Sequence, residues 1–159
     1  MAIAARAGTD AWGAQQWPMT REAWDALEDD ARRLSAQVSA KEAYVTGRLD
    51  GDADAPTFVP NIAGQQLLRQ LNNLRDVLER AVVVEDGEVA VIGRRVTLQE
   101  PDGTTSTYGL VIPGEGDPRT GWVSVDSPVG KALLGRRLGD ALTIEAPSGP
   151  WTATIAGLE

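Results

Sequence analysis

From Trp24 onward, Trp24, Leu27, Ala31, Leu34, Val38, Lys41 and Val45 follow one another at alternating intervals of three and four residues. This is a heptad seam, apolar except at Lys41, and it predicts a long amphipathic helix. Asp25, Glu28, Asp29, Asp30, Arg32 and Arg33 fall between the seam positions, as expected of solvated flanks. Thr20 is a good N-cap, and Glu22 suits the positive end of the helix dipole. The pattern fades near Gly47, so the helix is expected over about residues 20–48, on the order of 40 Å long.

The segment Asp50-Gly51-Asp52-Ala53-Asp54-Ala55-Pro56-Thr57-Phe58-Val59-Pro60 breaks this pattern. Gly51 weakens a helix, and Pro56 and Pro60 bar its continuation. Asn61 can cap a second helix whose seam is Leu67, Leu71, Leu74, Leu78 and Ala81. Two seams around one short break predict an antiparallel coiled-coil hairpin over residues 19–81, with an acidic tip at 50–60. Each helix of such a hairpin buries a single stripe, so the hairpin needs an anchor. Residues 1–18 are rich in Ala, Gly and Gln and read as a loosely ordered extension.

After Glu85-Asp86-Gly87 the period changes to two. Residues 82–88 read as a linker, and residues 89–159 as a second domain. Strands are expected at Val89–Ile92, Val96–Leu98, Thr107–Ile112, Trp122–Val125, Leu142–Ile144 and Trp151–Ile155. Pro101-Asp102-Gly103 supplies a hairpin turn, and Ser148-Gly149 another. Ser127 caps a short helix with Pro128 at its first position, where the missing N–H costs least. Gly135 suits the stop of that helix, with Arg136 and Arg137 near the negative end of its dipole. The fold class is therefore α+β, with a mostly antiparallel sheet and one short helix in the second domain.

Composition narrows the chemistry. The 159 residues contain no Cys and no His, which excludes disulfides, thiolate metal sites, a cysteine nucleophile and the commonest general base. Metal binding would have to use carboxylates, which favour hard ions such as magnesium. The net charge is −8, and the excess of acids lies mainly in the first 88 residues. No basic stripe is visible, so direct contact with nucleic acid is not expected to dominate binding. No apolar run reaches the roughly 18 residues of a membrane span, and the N-terminus lacks the pattern of a secretory signal. A cytoplasmic monomer is expected.

The run Val125-Asp126-Ser127-Pro128-Val129-Gly130-Lys131-Ala132-Leu133-Leu134-Gly135, followed by Gly139-Asp140, closely resembles the C-terminal signature of the Gre family of bacterial transcription elongation factors. Met19-Thr20, Leu74-Arg75-Asp76-Val77-Leu78-Glu79-Arg80-Ala81-Val82-Val83 and Gly114-Glu115-Gly116-Asp117-Pro118 extend the similarity from about Met19 to the end. The resemblance implies a coiled-coil hairpin followed by an FKBP-like domain, and it implies RNA polymerase as the partner. The C-terminal domain would dock on the rim of the polymerase secondary channel, with Asp126, Ser127 and Pro128 at the contact. The hairpin tip would then approach the active centre. The FKBP-like label carries no implication of isomerase activity.

Asp50, Asp52 and Asp54 stand where that tip should be. On an extended segment they would share one face, where a cation or a basic partner would relieve their repulsion. Magnesium commonly takes one or two carboxylates plus other oxygens, so these residues would contribute to a site shared with the polymerase rather than hold a metal alone. Three Asp among Gly and Ala more often form a solvated acidic loop; the resemblance favours the metal-facing reading. Cleavage-stimulating members carry Asp, two residues, then Glu-Asn-Ala-Glu-Tyr. Here Ala53 falls at the Glu position and the rest is missing, so the Asp-rich tip is similar to that of the anti-Gre (Gfh) proteins. The expectation is a non-enzymatic regulator that inhibits transcription. Two alternatives stay open: a stimulator of transcript cleavage, and a structural hairpin with another partner.

Overall fold

The computed structural model describes residues 16–47 and 62–159. Its elements are β1 (Trp17–Met19), α1 (Arg21–Gly47), α2 (Ile62–Glu79), β2 (Ala81–Val83), β3 (Arg95–Gln99), β4 (Thr105–Val111), β5 (Trp122–Ser124), α3 (Pro128–Leu133), β6 (Ala141–Ala146) and β7 (Gly149–Leu158). The chain divides into a helical unit over residues 25–79 and a second unit built from residues 1–24 and 80–159. The α+β class is as the sequence predicts.

Within the helical unit the heptad seam of α1 is visible as burial. Leu27, Ala31, Leu34 and Val38 are half-buried, and most positions between them are exposed. The charges on the flanks pair along the helix: Arg32 reaches Glu28 at 2.9 Å and Asp29 at 3.2 Å, and Arg33 pairs with Asp30. These exposed pairs add little stability each. On α2, Leu71 and Leu74 are buried as expected. The third deeply buried residue is Val77, while the predicted seam residue Leu78 is only half-buried. The buried stripe thus steps 71, 74, 77, drifting around the helix from the strict heptad. The connection between the helices, with its acidic tip, lies outside the described residues.

The second unit is a five-stranded sheet of order β5-β4-β3-β7-β6. All neighbours are antiparallel except β4 and β5. Glu100 and Thr104 close the β3–β4 hairpin around Pro101-Asp102-Gly103, and Pro147-Ser148 close the β6–β7 hairpin. Alternation is clear: Val96, Leu98, Leu142, Ile144, Ala153 and Ile155 are buried, while Arg95, Gln99, Thr143, Glu145, Thr152 and Thr154 are exposed. One face of the sheet therefore carries the core and the other meets water. Helix α3 packs against β5 and β6, with Leu133 fully buried.

Two stretches differ from the sequence reading. Trp17 and Pro18, read as the end of a loose extension, belong with Met19 to β1, which pairs in parallel with β2. β2 in turn covers residues 82 and 83, read as linker. Trp17 N–H donates to Arg80 O (2.9 Å), Val84 N–H to Met19 O (2.8 Å), Ile92 N–H to Pro18 O (3.0 Å) and Thr20 N–H to Ile92 O (2.9 Å). Pro18 and Met19 are buried there. Short chain segments of this kind carry too few residues to show a period, and their order comes from partners distant in sequence.

The predicted strand at Val89–Ile92 also differs. All four residues are buried, but the segment makes only isolated bridges, Val89 with Arg137 and Met19 with Ile92. Its backbone divides between two partners. Ala90 exchanges hydrogen bonds with Arg136 and Gly135, and Ile92 with Pro18 and Thr20. A divided ladder satisfies the backbone polar groups without forming a regular strand. Among the described residues no helix is long and apolar enough to cross a membrane.

Candidate partner-docking site

Asp126, Ser127 and Pro128 sit in the turn between β5 and α3. Ser127 has the extended backbone of an N-cap (φ −71°, ψ 160°), and its Oγ accepts the Gly130 N–H at 3.1 Å. The same hydroxyl donates to the Ser124 carbonyl at 2.6 Å. One side chain thus ties the start of α3 to the end of β5. Pro128 occupies the first helical turn and is exposed, as is Asp126; Ser127 is half-buried. The three predicted docking residues therefore share one turn, with a carboxylate and a proline ring toward solvent.

The turn is held from beneath by two residues that sequence reasoning did not single out. Gly130 is buried, and a Cβ there would stand 2.0 Å from Ser124 O and 2.7 Å from Val125 Cα. Glycine is what lets α3 approach the β5 backbone so closely. Ser124 is the second. Its buried hydroxyl accepts the Gly114 N–H at 3.1 Å, lies 3.2 Å from Ile112 O and hydrogen-bonds Asp126 Oδ1. The signal for Ser124 was present in the sequence as a lone hydroxyl between Val123 and Val125.

Beyond α3 the chain turns through glycines with positive φ, Gly135 (79°) and Gly139 (87°). Gly135 acts as the predicted helix stop. Arg136 Nε donates to Ala132 O at 3.3 Å, as a cation at the helix C-terminus should. Arg137 departs from that expectation. Its guanidinium pairs with Asp86 at 3.2 Å, and its N–H donates to Asp140 Oδ2 at 2.9 Å. Leu138, in the same turn, is half exposed. Lys131 points to solvent.

Asp50, Asp52 and Asp54, the predicted metal-facing residues, lie outside the described residues. Among the described residues no cluster of three or more acidic side chains could hold a metal ion.

The structure is thus an α+β chain with a helical unit and a sheet unit, and in the sheet unit the turn between β5 and α3 is capped by Ser127. Residues 85–159 match the family described as transcription elongation factor, GreA/GreB, C-terminal. The transcription elongation factor GreA of Geobacillus kaustophilus is 31% identical over 154 residues, covering 91% of this chain and 98% of that protein. GreA of Bacillus cytotoxicus is 30% identical over 152 residues, covering 90% and 96%. Among solved structures, GreA factor homolog 1 (Gfh1) of Thermus thermophilus is similar at 27% identity, with 91% and 99% covered and a TM-score of 0.43. The chain belongs to the Gre family of transcription elongation factors.

Proposed function

We propose that this chain binds bacterial RNA polymerase at its secondary channel and inhibits nucleotide addition through its Asp-rich tip. The observation that carries the docking half is the Asp126-Ser127-Pro128 turn. In a Gre-family chain it combines an exposed carboxylate and proline with a backbone fixed by the Ser127 cap and the Gly130 contact. A preorganised turn loses little entropy when a partner covers it.

The sign of the effect rests on the tip sequence. Asp50, Asp52 and Asp54 offer carboxylates for a magnesium ion shared with the polymerase, but Ala53 stands where cleavage-stimulating members carry Glu. With oxygen ligands alone the tip would perturb a metal or nucleotide already bound by the polymerase; the chain performs no chemistry of its own.

The test adds the protein to backtracked and to active elongation complexes with magnesium and follows RNA length. Slower nucleotide addition without shortening, abolished by replacing all three Asp with Ala, is the expected result. RNA shortening that disappears with Asp50→Ala would overturn the inhibitory reading in favour of cleavage stimulation. An unchanged effect in the triple variant would remove the tip from the mechanism.

A further inference from the structure

We infer that Ser124 is a positioning residue for docking, acting through the carboxylate of Asp126. This rests on the polymerase-docking reading of the Asp126-Ser127-Pro128 turn and extends it inward to a residue the partner would not touch.

The hydroxyl of Ser124 is buried, and its three neighbours fix how it is used. Gly114 N–H donates to it at 3.1 Å, which occupies one lone pair. Its single proton then has two acceptors within reach, the Ile112 carbonyl at 3.2 Å and Asp126 Oδ1. A bond to an ionised oxygen is the stronger of the two, so the proton belongs to Asp126. Asp126 is exposed, and its carboxylate is free to swing unless something holds it. Ser124 supplies that hold from within the fold.

The arrangement has a second consequence. Through Ser124 the loop at Gly114 and the turn at Asp126 meet at one atom. The carbonyl of the same residue accepts from Ser127 Oγ at 2.6 Å. Ser124 therefore contacts two of the three docking residues, through its hydroxyl and its carbonyl. Replacing its side chain removes only the first link and leaves the Ser127 cap in place.

A double-mutant cycle on the full chain tests this. Wild type, Ser124→Ala, Asp126→Ala and the double variant are compared for binding to core RNA polymerase at fixed salt. Ser124→Ala should weaken binding about tenfold, the scale of a charge-assisted hydrogen bond. In the Asp126→Ala background it should cost nothing further, because its effect runs through Asp126. Losses that multiply would overturn the inference, since a merely structural role would act independently of Asp126. Asp126→Glu is the second variant. It keeps the charge on an exposed residue but lengthens the arm, so it too should weaken binding; wild-type affinity would overturn the inference even if Ser124→Ala failed to fold. Absence of binding by the wild type would overturn the polymerase reading and this inference with it, whereas multiplying losses with intact wild-type binding would overturn the inference alone.

Discussion

Gly130 of α3 rests directly on Ser124 of β5: a Cβ on the glycine would stand 2.0 Å from the serine carbonyl oxygen, inside any allowed contact. The obstacle is backbone, held in turn by the Ser127 hydroxyl and by the Ser127 N–H at 3.0 Å. It cannot rotate away as a side chain would. Gly130→Ala is therefore expected to push α3 off the strand and to destabilise the unit by about 3 kcal/mol, at the upper end of overpacking effects. Chemical denaturation of the variant, compared with Lys131→Ala on the same helix as an exposed control, measures this.

Ser127→Ala removes the cap of α3 and leaves the Gly130 N–H without its side-chain acceptor. A loss of roughly 1 kcal/mol is expected, with Ser127→Asp restoring much of it because Asp caps equally well. The check is thermal unfolding of the three proteins. If Asp restored stability but not polymerase binding, the serine itself would be part of the contact.

The N-terminal strand should be integral to the second unit. Met19 is fully buried, and Met19→Ala is expected to cost roughly 2–5 kcal/mol through lost burial and the cavity left behind. Gly93, shortly before β3, faces the junction of β1 and α1 and combines a φ of +94° with contacts a Cβ would make at 2.6 Å to Thr20 Oγ1 and 2.7 Å to Ala23 Cβ. Gly93→Ala should destabilise by a comparable amount. Denaturant titrations of both variants against the wild type measure this.

On the open face of the sheet, Arg95, Gly109 and Trp122 stand side by side on three adjacent strands. The Trp122 ring covers Gly109, where a Cβ would meet it at 2.1 Å, and the Arg95 guanidinium lies 4.9 Å from the ring centroid. Gly109→Ala should displace the ring and cost about 1–2 kcal/mol, including a cation–π contact of roughly 0.5–1 kcal/mol. Arg95→Ala should then cost less in the Gly109→Ala background than in the wild type. Equal cost in both would show that the ring keeps its contact after the substitution.

The β3–β4 turn carries a pH signature. The Thr104 backbone N–H donates to Asp102 Oδ1 at 2.9 Å, and together with the Thr104 hydroxyl it holds the carboxyl below its ordinary value of 3.8. A depressed value in the folded state means that ionised Asp102 favours folding. That contribution is present above the unfolded-state value and fades as pH falls through the folded one. An NMR titration of the Asp102 carboxyl should find a midpoint below 3.8, moving upward in Thr104→Ala as the hydroxyl bond is lost.

Several of these relationships could be read from the residues themselves. The seam of α1, the Ser127 cap with Pro128 behind it, the Gly135 stop and the Pro101-Asp102-Gly103 turn depend on neighbours within a few positions. Local order carries them, so local pattern reveals them. The alternation in β3, β6 and β7 is likewise local. The signature around Asp126–Asp140 placed the chain in its family for the same reason, because the motif is contiguous.

What the residues did not reveal depends on partners far apart in the chain. Trp17–Met19 is ordered by Ala81–Val83 and Ile92, some sixty to seventy-five residues away. Arg137 prefers Asp86 to the helix dipole because the turn after α3 folds back against residues 86–90. Gly130 lies within the signature run and Ser124 is a lone hydroxyl between two valines, but their sequence neighbours do not show what either one touches. Their importance arises only when α3 is laid on β5, where a missing Cβ and a single buried hydroxyl decide how close the helix comes and where the Asp126 carboxylate is held. Sequence alone determined the helices, most strands of the sheet and the family, because these are written in short contiguous patterns. Tertiary structure alone decided which residues brace the Asp126-Ser127-Pro128 turn, because that bracing is a contact between elements.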